Sequence, residues 1–262
     1  MSFLNEVIAL KHEEVAVRKV KCSLQDLKQE TKDSDASAKP SFKEALNGSQ
    51  YLSIIAEVKG ASPSQGVIQE TFDPLAIAQG YEKVGASAIS VLTDQKYFRG
   101  DLSFLSAISQ HVKIPCLQKD FIVDDYQVYE SKLLGASAFL LIVRIMTVQQ
   151  LQDLHGLGKE LGLDVLVEIH DEEDLQKIEG GDFIEILGIN NRNLDDMSVD
   201  IQRSVDLKSS VMFDAVLISE SGLETKEDLS LMKNTGFDAV LMGTFLMRTG
   251  DPVGALRDLL DS

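Results

Sequence analysis

From Leu52 onward, short apolar runs recur with little polar interruption: Leu52–Val58, Ala88–Leu92, Ile114–Leu117, Ala138–Val143, Val165–Val167, Ile184–Ile189, Ala215–Ile218 and Ala239–Met242. Segments of helical periodicity lie between and after them, such as Pro74–Val84, Asp124–Leu134, Val148–Leu161 and Val253–Leu260. Strands that are apolar throughout, rather than alternating, belong to a parallel sheet covered on both faces by helices. Eight β-then-α units predict a closed (β/α)8 TIM barrel. An open, doubly wound sheet is the alternative and offers no natural place for so many regular units. Gly85-Ala86-Ser87-Ala88, Gly135-Ala136-Ser137-Ala138 and Gly236-Phe237-Asp238-Ala239 repeat one junction, a helix end leading into a strand. Helix-stop chemistry explains that echo as readily as duplication does, because glycine suits the left-handed position after a helix.

The region before Leu52 has a different character. Phe3, Val7 and Leu10, with Leu4 and Ile8 beside them, give an amphipathic helix. The polar stretch from Thr31 to Ser41 reads as a loop, and Phe42–Leu46 as a short helix stopped by Asn47-Gly48. The organisation expected is one barrel domain over residues 1–262, with residues 1–48 as an N-terminal helical extension.

Composition narrows the function. A length of 262 residues, 44% hydrophobic and 26% charged, suits a single barrel. The net charge of −17 opposes nucleic acid and anionic membrane surfaces as partners. A small anion remains possible, because it needs only a local cluster of donors and cations. The first ten residues include Asn5 and Glu6 and do not read as a signal peptide. No apolar stretch approaches the roughly 20 residues that span a bilayer. Cys22 and Cys116 lack metal-ligand or redox-motif spacing, so the chain is expected to be soluble and cytoplasmic. No obligate protein partner is predicted, and no second enzyme is expected to follow the last helix.

In such barrels the active site lies at the C-terminal ends of the strands, and polar residues gather there. Glu57 and Lys59 end the first run two residues apart, so they face the same way, either as a structural ion pair or as reactive groups. Lys119 follows the third run, Glu168 the fifth, Asn190-Asn191-Arg192 the sixth and Glu220-Ser221-Gly222 the seventh. Ser221-Gly222 and Gly243-Thr244, after the seventh and eighth runs, suit backbone binding of a phosphate, with Ser62 as a further donor. Each pair alone also fits an ordinary turn. Among the histidines, His12, His111 and His155 fall on helices, and His170 precedes the acidic helix start Asp171-Glu172-Glu173, where a solvated or capping role is expected. No His, Cys or carboxylate cluster has metal-ligand spacing, and no Walker or dinucleotide loop is present.

Six motifs in order identify a resemblance covering essentially the whole chain. Glu57-Val58-Lys59-Gly60-Ala61-Ser62-Pro63-Ser64, Leu117-Gln118-Lys119-Asp120-Phe121-Ile122 and Val167-Glu168-Ile169-His170 are three of them. Gly188-Ile189-Asn190-Asn191-Arg192, Ser219-Glu220-Ser221-Gly222 and Met242-Gly243-Thr244-Phe245-Leu246-Met247-Arg248 are the others. They closely resemble indole-3-glycerol phosphate synthase, as does Leu92-Thr93-Asp94-Gln95-Lys96-Tyr97-Phe98. Gln118 and Thr244 stand where that family varies.

The resemblance implies a cofactor-independent lyase, a decarboxylase of tryptophan biosynthesis. Its substrate is 1-(2-carboxyphenylamino)-1-deoxyribulose 5-phosphate. The ring carbon attacks the ribulose carbonyl, then CO2 and water leave. The resemblance assigns Lys119 as general acid, with Lys59, Glu57 and Glu168 completing the proton chemistry. Asn190, Arg192 and Glu220 orient the substrate, and Ser62, Ser221, Gly222, Gly243 and Thr244 surround phosphate. Phe98, Phe121, Leu140, Ile142 and Leu194 form a slot for the aromatic ring or else barrel core, and for Leu140 and Ile142 the two readings are compatible. Burial and a second cation, Lys59, are expected to lower the Lys119 pKa from its ordinary value of about 10.4. Which group moves which proton stays open. A Schiff-base aldolase using Lys119 or Lys59, and a barrel that binds phosphate without catalysis, are the rival readings.

Overall fold

The computed structural model describes residues 3–33, 40–47, 52–63, 65–69, 73–194 and 196–261, so the predicted loop at 34–39, Gly48 and Ser64 lie outside the described residues. Eight parallel strands close into a barrel: β1 Ser53–Val58, β2 Ala88–Leu92, β3 Cys116–Lys119, β4 Ala138–Ile142, β5 Asp164–Ile169, β6 Ile186–Asn190, β7 Val216–Glu220 and β8 Ala239–Met242. Closure is made by β1 against β8, with Ser53 opposite Ala239 and Ala56 opposite Met242. Four strands run further toward their C-termini than the apolar runs do, because Lys119, Glu168, Asn190 and Glu220 are themselves strand residues. These strand-end positions at the mouth are polar, so hydrophobicity stops before the backbone pairing does.

Eight longer segments cover the barrel: α4 Pro74–Val84, α5 Leu102–His111, α6 Asp125–Leu133, α7 Val148–Glu160, α8 Glu172–Lys177, α9 Gln202–Lys208, α10 Lys226–Thr235 and α11 Pro252–Leu260. Their starts are set by short polar caps. The Asp73 carboxylate accepts from Ala76 N–H, Asp124 from Tyr126, and Thr147 forms a reciprocal capping box with Gln150. The three repeated glycines hold φ of +107° (Gly85), +79° (Gly135) and +90° (Gly236), which accounts for the echo as helix-stop geometry. Among the described residues, no helix is long and apolar enough to cross a membrane.

Ahead of the barrel lie α1 Phe3–Lys21, α2 Leu24–Asp33 and α3 Phe42–Leu46. Helix α2 corrects the reading of Thr31–Asp33 as loop, since Leu27 is buried against Tyr126 and its neighbours and recruits a polar segment into helix. Helix α3 closes the N-terminal end of the barrel. Phe42 and Leu46 are buried there, Ser41 Oγ donates to Asp164 at 3.0 Å, and Lys43 pairs with Glu185 at 2.7 Å.

Helix α1 lies at the opposite rim, against the loops after β2 and β3. Its buried stripe is Leu4, Val7, Lys11 and Val15, rotated from the expected face, on which Leu10 is only half-buried. A lysine enters that stripe because Asp94 and Asp120 meet its ammonium at 2.8 and 2.9 Å, with Glu14 at 2.9 Å. Lys11 is 1% exposed. Burial alone would depress its pKa; these carboxylates outweigh that and raise it above the ordinary lysine value. Removing one partner of a buried charge cluster leaves the others uncompensated, so Lys11→Ala is expected to cost about 3–5 kcal/mol in urea unfolding. Lys96→Ala, which breaks an exposed pair with Glu6, is expected to cost about 1 kcal/mol or less in the same measurement.

Candidate active site

At the C-terminal mouth the strands enclose a cavity of about 440 Å³. Every site residue expected from the sequence lines it: Glu57, Lys59 and Ser62 from β1 and its loop, Phe98 after β2, and Lys119 and Phe121 at β3. Leu140 and Ile142 enter from β4, Glu168 from β5, and Asn190, Arg192 and Leu194 from β6 and the residues after it. The remaining wall is Glu220, Ser221 and Gly222 at β7 and Gly243 and Thr244 at β8.

At its centre, Lys119 Nζ lies 2.6 Å from Glu168 Oε2 and 2.5 Å from Glu220 Oε2. Glu57 Oε1 holds Lys59 Nζ at 2.7 Å beside them, and Ser90 Oγ donates to Glu57 Oε2 at 3.4 Å. Two glycines make this packing possible. A Cβ on Gly188 would collide with Glu220 Oε1, and one on Gly243 would overlap the Glu57 side chain.

Lys119 corrects the expectation of a depressed pKa. Burial does pull it down, but Glu168, Glu220 and Glu57 outweigh both burial and any cation nearby, and hold it above the ordinary value. The two carboxylates sharing it are pushed apart. Burial raises the Glu168 pKa, yet Lys119 and His170 bring it down to about 2. Burial and the Glu168 charge push Glu220 up to about 8, against the pull of Lys119.

The apolar side of the cavity is a continuous patch. Phe121, Leu140 and Ile142 belong to the barrel-interior cluster, and Phe98 and Leu194 pack on it. The Phe98 and Phe121 ring centroids are 6.3 Å apart and tilted by 41°. Both sequence readings of Leu140 and Ile142 hold, since each is buried core and cavity wall. After β7, Ser221 and Gly222 both hold left-handed backbone, with φ of +71° and +82°. Fully buried Asn191 supports that turn by donating to Ser221 O at 3.0 Å and Ser219 Oγ at 3.1 Å.

The three cations Lys59, Lys119 and Arg192 do converge on the cavity, but six carboxylates line it as well: Glu57, Asp94, Asp120, Glu168, Glu220 and Glu224. Among the described residues, no carboxylate lies within ion-pair distance of Arg192, which donates instead to Met197 O at 2.9 Å. Lys11 escaped sequence reasoning because its partners lie far along the chain. His170 is the second correction: it is fully buried, with Nε2 3.3 Å from Glu168 Oε1, neither solvated nor a helix cap. His155 is buried too, edge-on to Phe183 with centroids 5.0 Å apart. No group of three or more potential ligands suited to a metal occurs among the described residues.

A sequence profile described as indole-3-glycerol phosphate synthase matches residues 4–259. The chain belongs to the indole-3-glycerol phosphate synthase family. It is 44% identical over 257 residues to the indole-3-glycerol phosphate synthase of Desulfotalea psychrophila, covering 98% of this chain and 97% of that one. It is 46% identical over 257 residues to that of Chlorobium luteolum, covering 97% and 96%. Membership makes it a carboxy-lyase of tryptophan biosynthesis that acts on a phosphorylated small molecule. Among solved structures, 3-hexulose-6-phosphate synthase from Salmonella typhimurium matches with a TM-score of 0.61 at 14% identity, over 80% of this chain and 97% of its own. A tryptophan synthase alpha-subunit mutant from Pyrococcus furiosus matches with a TM-score of 0.62 at 14% identity, over 80% and 98%. Those two likenesses carry the barrel fold alone.

A carboxyl raised by folding favours the folded state while protonated, and that advantage erodes as pH climbs from the ordinary 4.5 through about 8. Glu220→Gln lacks this dependence. In thermal melts from pH 5 to 9, the variant is expected to gain on the parent protein across that window and hold a constant margin above it.

Proposed function

We propose that this cavity closes the indole pyrrole ring, converting 1-(2-carboxyphenylamino)-1-deoxyribulose 5-phosphate to indole-3-glycerol phosphate, CO2 and water. The observation that carries the reading is the Lys119 ammonium held between Glu168 and Glu220, at the meeting of the apolar slot and the strained Ser221-Gly222 turn.

The anilino ring stacks in the slot formed by Phe98, Phe121, Leu140, Ile142 and Leu194. Phosphate sits among Ser62, Ser221, Gly222, Gly243 and Thr244, where small residues let backbone donors approach an oxyanion. Arg192, free of a carboxylate among the described residues, meets an anionic group of the substrate. Asn190 accepts from Arg192 N–H at 3.0 Å and shapes the same wall.

Attack on the ribulose carbonyl develops negative charge on its oxygen, and Lys119 supplies the proton there. Its raised pKa keeps it charged at rest. As Nζ turns from the carboxylates toward the carbonyl it loses the partners that raise it, and becomes a stronger acid where acid is needed. Lys59, steadied by Glu57, holds the substrate carboxylate until CO2 departs. Dehydration needs a base at carbon and an acid at the leaving hydroxyl. Glu168, an anion, suits the first role; Glu220, which keeps its proton near neutrality, suits the second. We further infer that the whole chain acts as one domain, without cofactor or obligate partner, in the cytoplasm, where Cys22 and Cys116 stay outside any disulfide.

Lys119→Ala is expected to lower turnover by at least about 10²–10⁴-fold with an unchanged circular dichroism spectrum, read from the indole-type fluorescence of the product. Near-normal fluorescence growth would remove Lys119 from its role. Borohydride added during turnover is expected to trap nothing; covalent label on Lys119 or Lys59 would favour the Schiff-base reading instead.

A further inference from the structure

One buried titratable side chain beside the site has no part in this scheme. His170 directly follows β5, two residues after Glu168, and is 0% exposed. Its Nε2 is 3.3 Å from Glu168 Oε1 and its Nδ1 3.5 Å from Asp174 Oδ2. Neither ring nitrogen makes a well-directed hydrogen bond to a described residue. Burying a polar group in that condition is unfavourable, so the surroundings of the ring call for an account.

The groups facing the ring define that use. From its own segment comes Glu168, whose other oxygen, Oε2, holds Lys119 at 2.6 Å. From α8 comes Asp174, which accepts the His170 backbone N–H at 2.9 Å. Arg144, after β4, reaches Asp174 with Nε at 3.4 Å and also pairs with Asp171. Lys177 on α8 is engaged with Val143 O at 3.0 Å. Asp174 is therefore already neutralised by Arg144, and Glu168 by Lys119. The imidazole lies between two carboxylates, each of which already has a cation of its own.

We propose that His170 is a positioning residue for Glu168, holding the oxygen that Lys119 does not hold through both protonation states of the carboxyl. A base at carbon must pass from anion to acid. The anion needs a donor at Oε1 and the acid needs an acceptor. An imidazole can serve as either, by the choice of which ring nitrogen carries its hydrogen. With its hydrogen on Nδ1, toward Asp174, Nε2 presents a lone pair to the Glu168 O–H. With its hydrogen on Nε2 instead, it donates to the Glu168 anion. When Glu168 takes a proton from the substrate carbon, the C–H electron pair stays with the substrate and drives out the hydroxyl. The new O–H donates to the Nε2 lone pair. Its proton returns to Lys119, which gave its own to the carbonyl and lies 2.6 Å from the other Glu168 oxygen, so the carboxylate is restored. Glu168 is thus kept both oriented and ready to act again.

The inference rests on the assignment of Glu168 as the base, and the two fail separately. Glu168→Gln retaining turnover would remove that assignment. His170→Ala tests the inference itself. It is expected to lower kcat roughly tenfold with KM within about twofold, and to shift the acidic limb of the pH–kcat profile, while His170→Gln recovers kcat but not the limb. An unaltered profile, or a loss confined to KM and thermal stability, would overturn it. Should both variants fail to fold, the ring nitrogens of His170 are read by NMR in ¹⁵N-histidine-labelled protein that keeps this residue. The Nε2 resonance is expected to move between the parent protein and Glu168→Gln, and an identical resonance overturns the inference.

Discussion

The Lys119 ammonium, set among carboxylates at the barrel mouth, fixes the terms for what surrounds it. Lys119 is tolerable there only because Glu168 and Glu220 meet it at 2.6 and 2.5 Å. Those carboxylates come from β5 and β7, so three separate strands must keep register for one charge to be satisfied. Glycine at 188 follows from the same requirement, since a side chain there would occupy the place of a Glu220 oxygen. The pair at β1 repeats the logic in smaller form, with Glu57 supporting Lys59 and Gly243 yielding space to Glu57. Two carboxylates around one cation leave a surplus negative charge. Burial resolves it by holding the Glu220 proton, and one ion cluster thereby contains both an acid and a base.

Much of this was legible in the sequence, for a physical reason. A barrel strand is apolar until it reaches the mouth, so the residues that break each run, Lys119, Glu168, Asn190 and Glu220, mark themselves. What stayed hidden depends on long-range pairing. Lys11 belongs to a stripe otherwise made of Leu4, Val7 and Val15, and a lysine at such a position is normally a reason to rotate the predicted face. Only the placement of Asp94 and Asp120, more than eighty residues on, makes it an inward residue. His170 misled for the opposite reason: the acidic residues after it look like a solvated helix start, whereas one of them, Asp174, turns back under the ring.

Family membership and fold likeness answer different questions for this chain. Relatives at 44% and 46% identity share its length almost completely and carry the activity. Barrels at 14% identity share its architecture and show only how general that architecture is. The acidic composition is compatible with an anionic substrate because Lys59 and Lys119 reach the cavity already oriented by carboxylates, and because no carboxylate among the described residues pairs with Arg192. In the proposed reading, binding comes from local preorganisation rather than from long-range attraction.

The N-terminal extension grips both ends of the barrel through partners that lie late in the chain. Lys19 meets Asp124, Ser41 meets Asp164 and Lys43 meets Glu185, separations of 105, 123 and 142 residues. Closing a loop costs entropy that grows with its length, so each of these contacts is far cheaper to make once the barrel between its ends has folded. The cation that satisfies Asp94 and Asp120 thus depends on the barrel it completes.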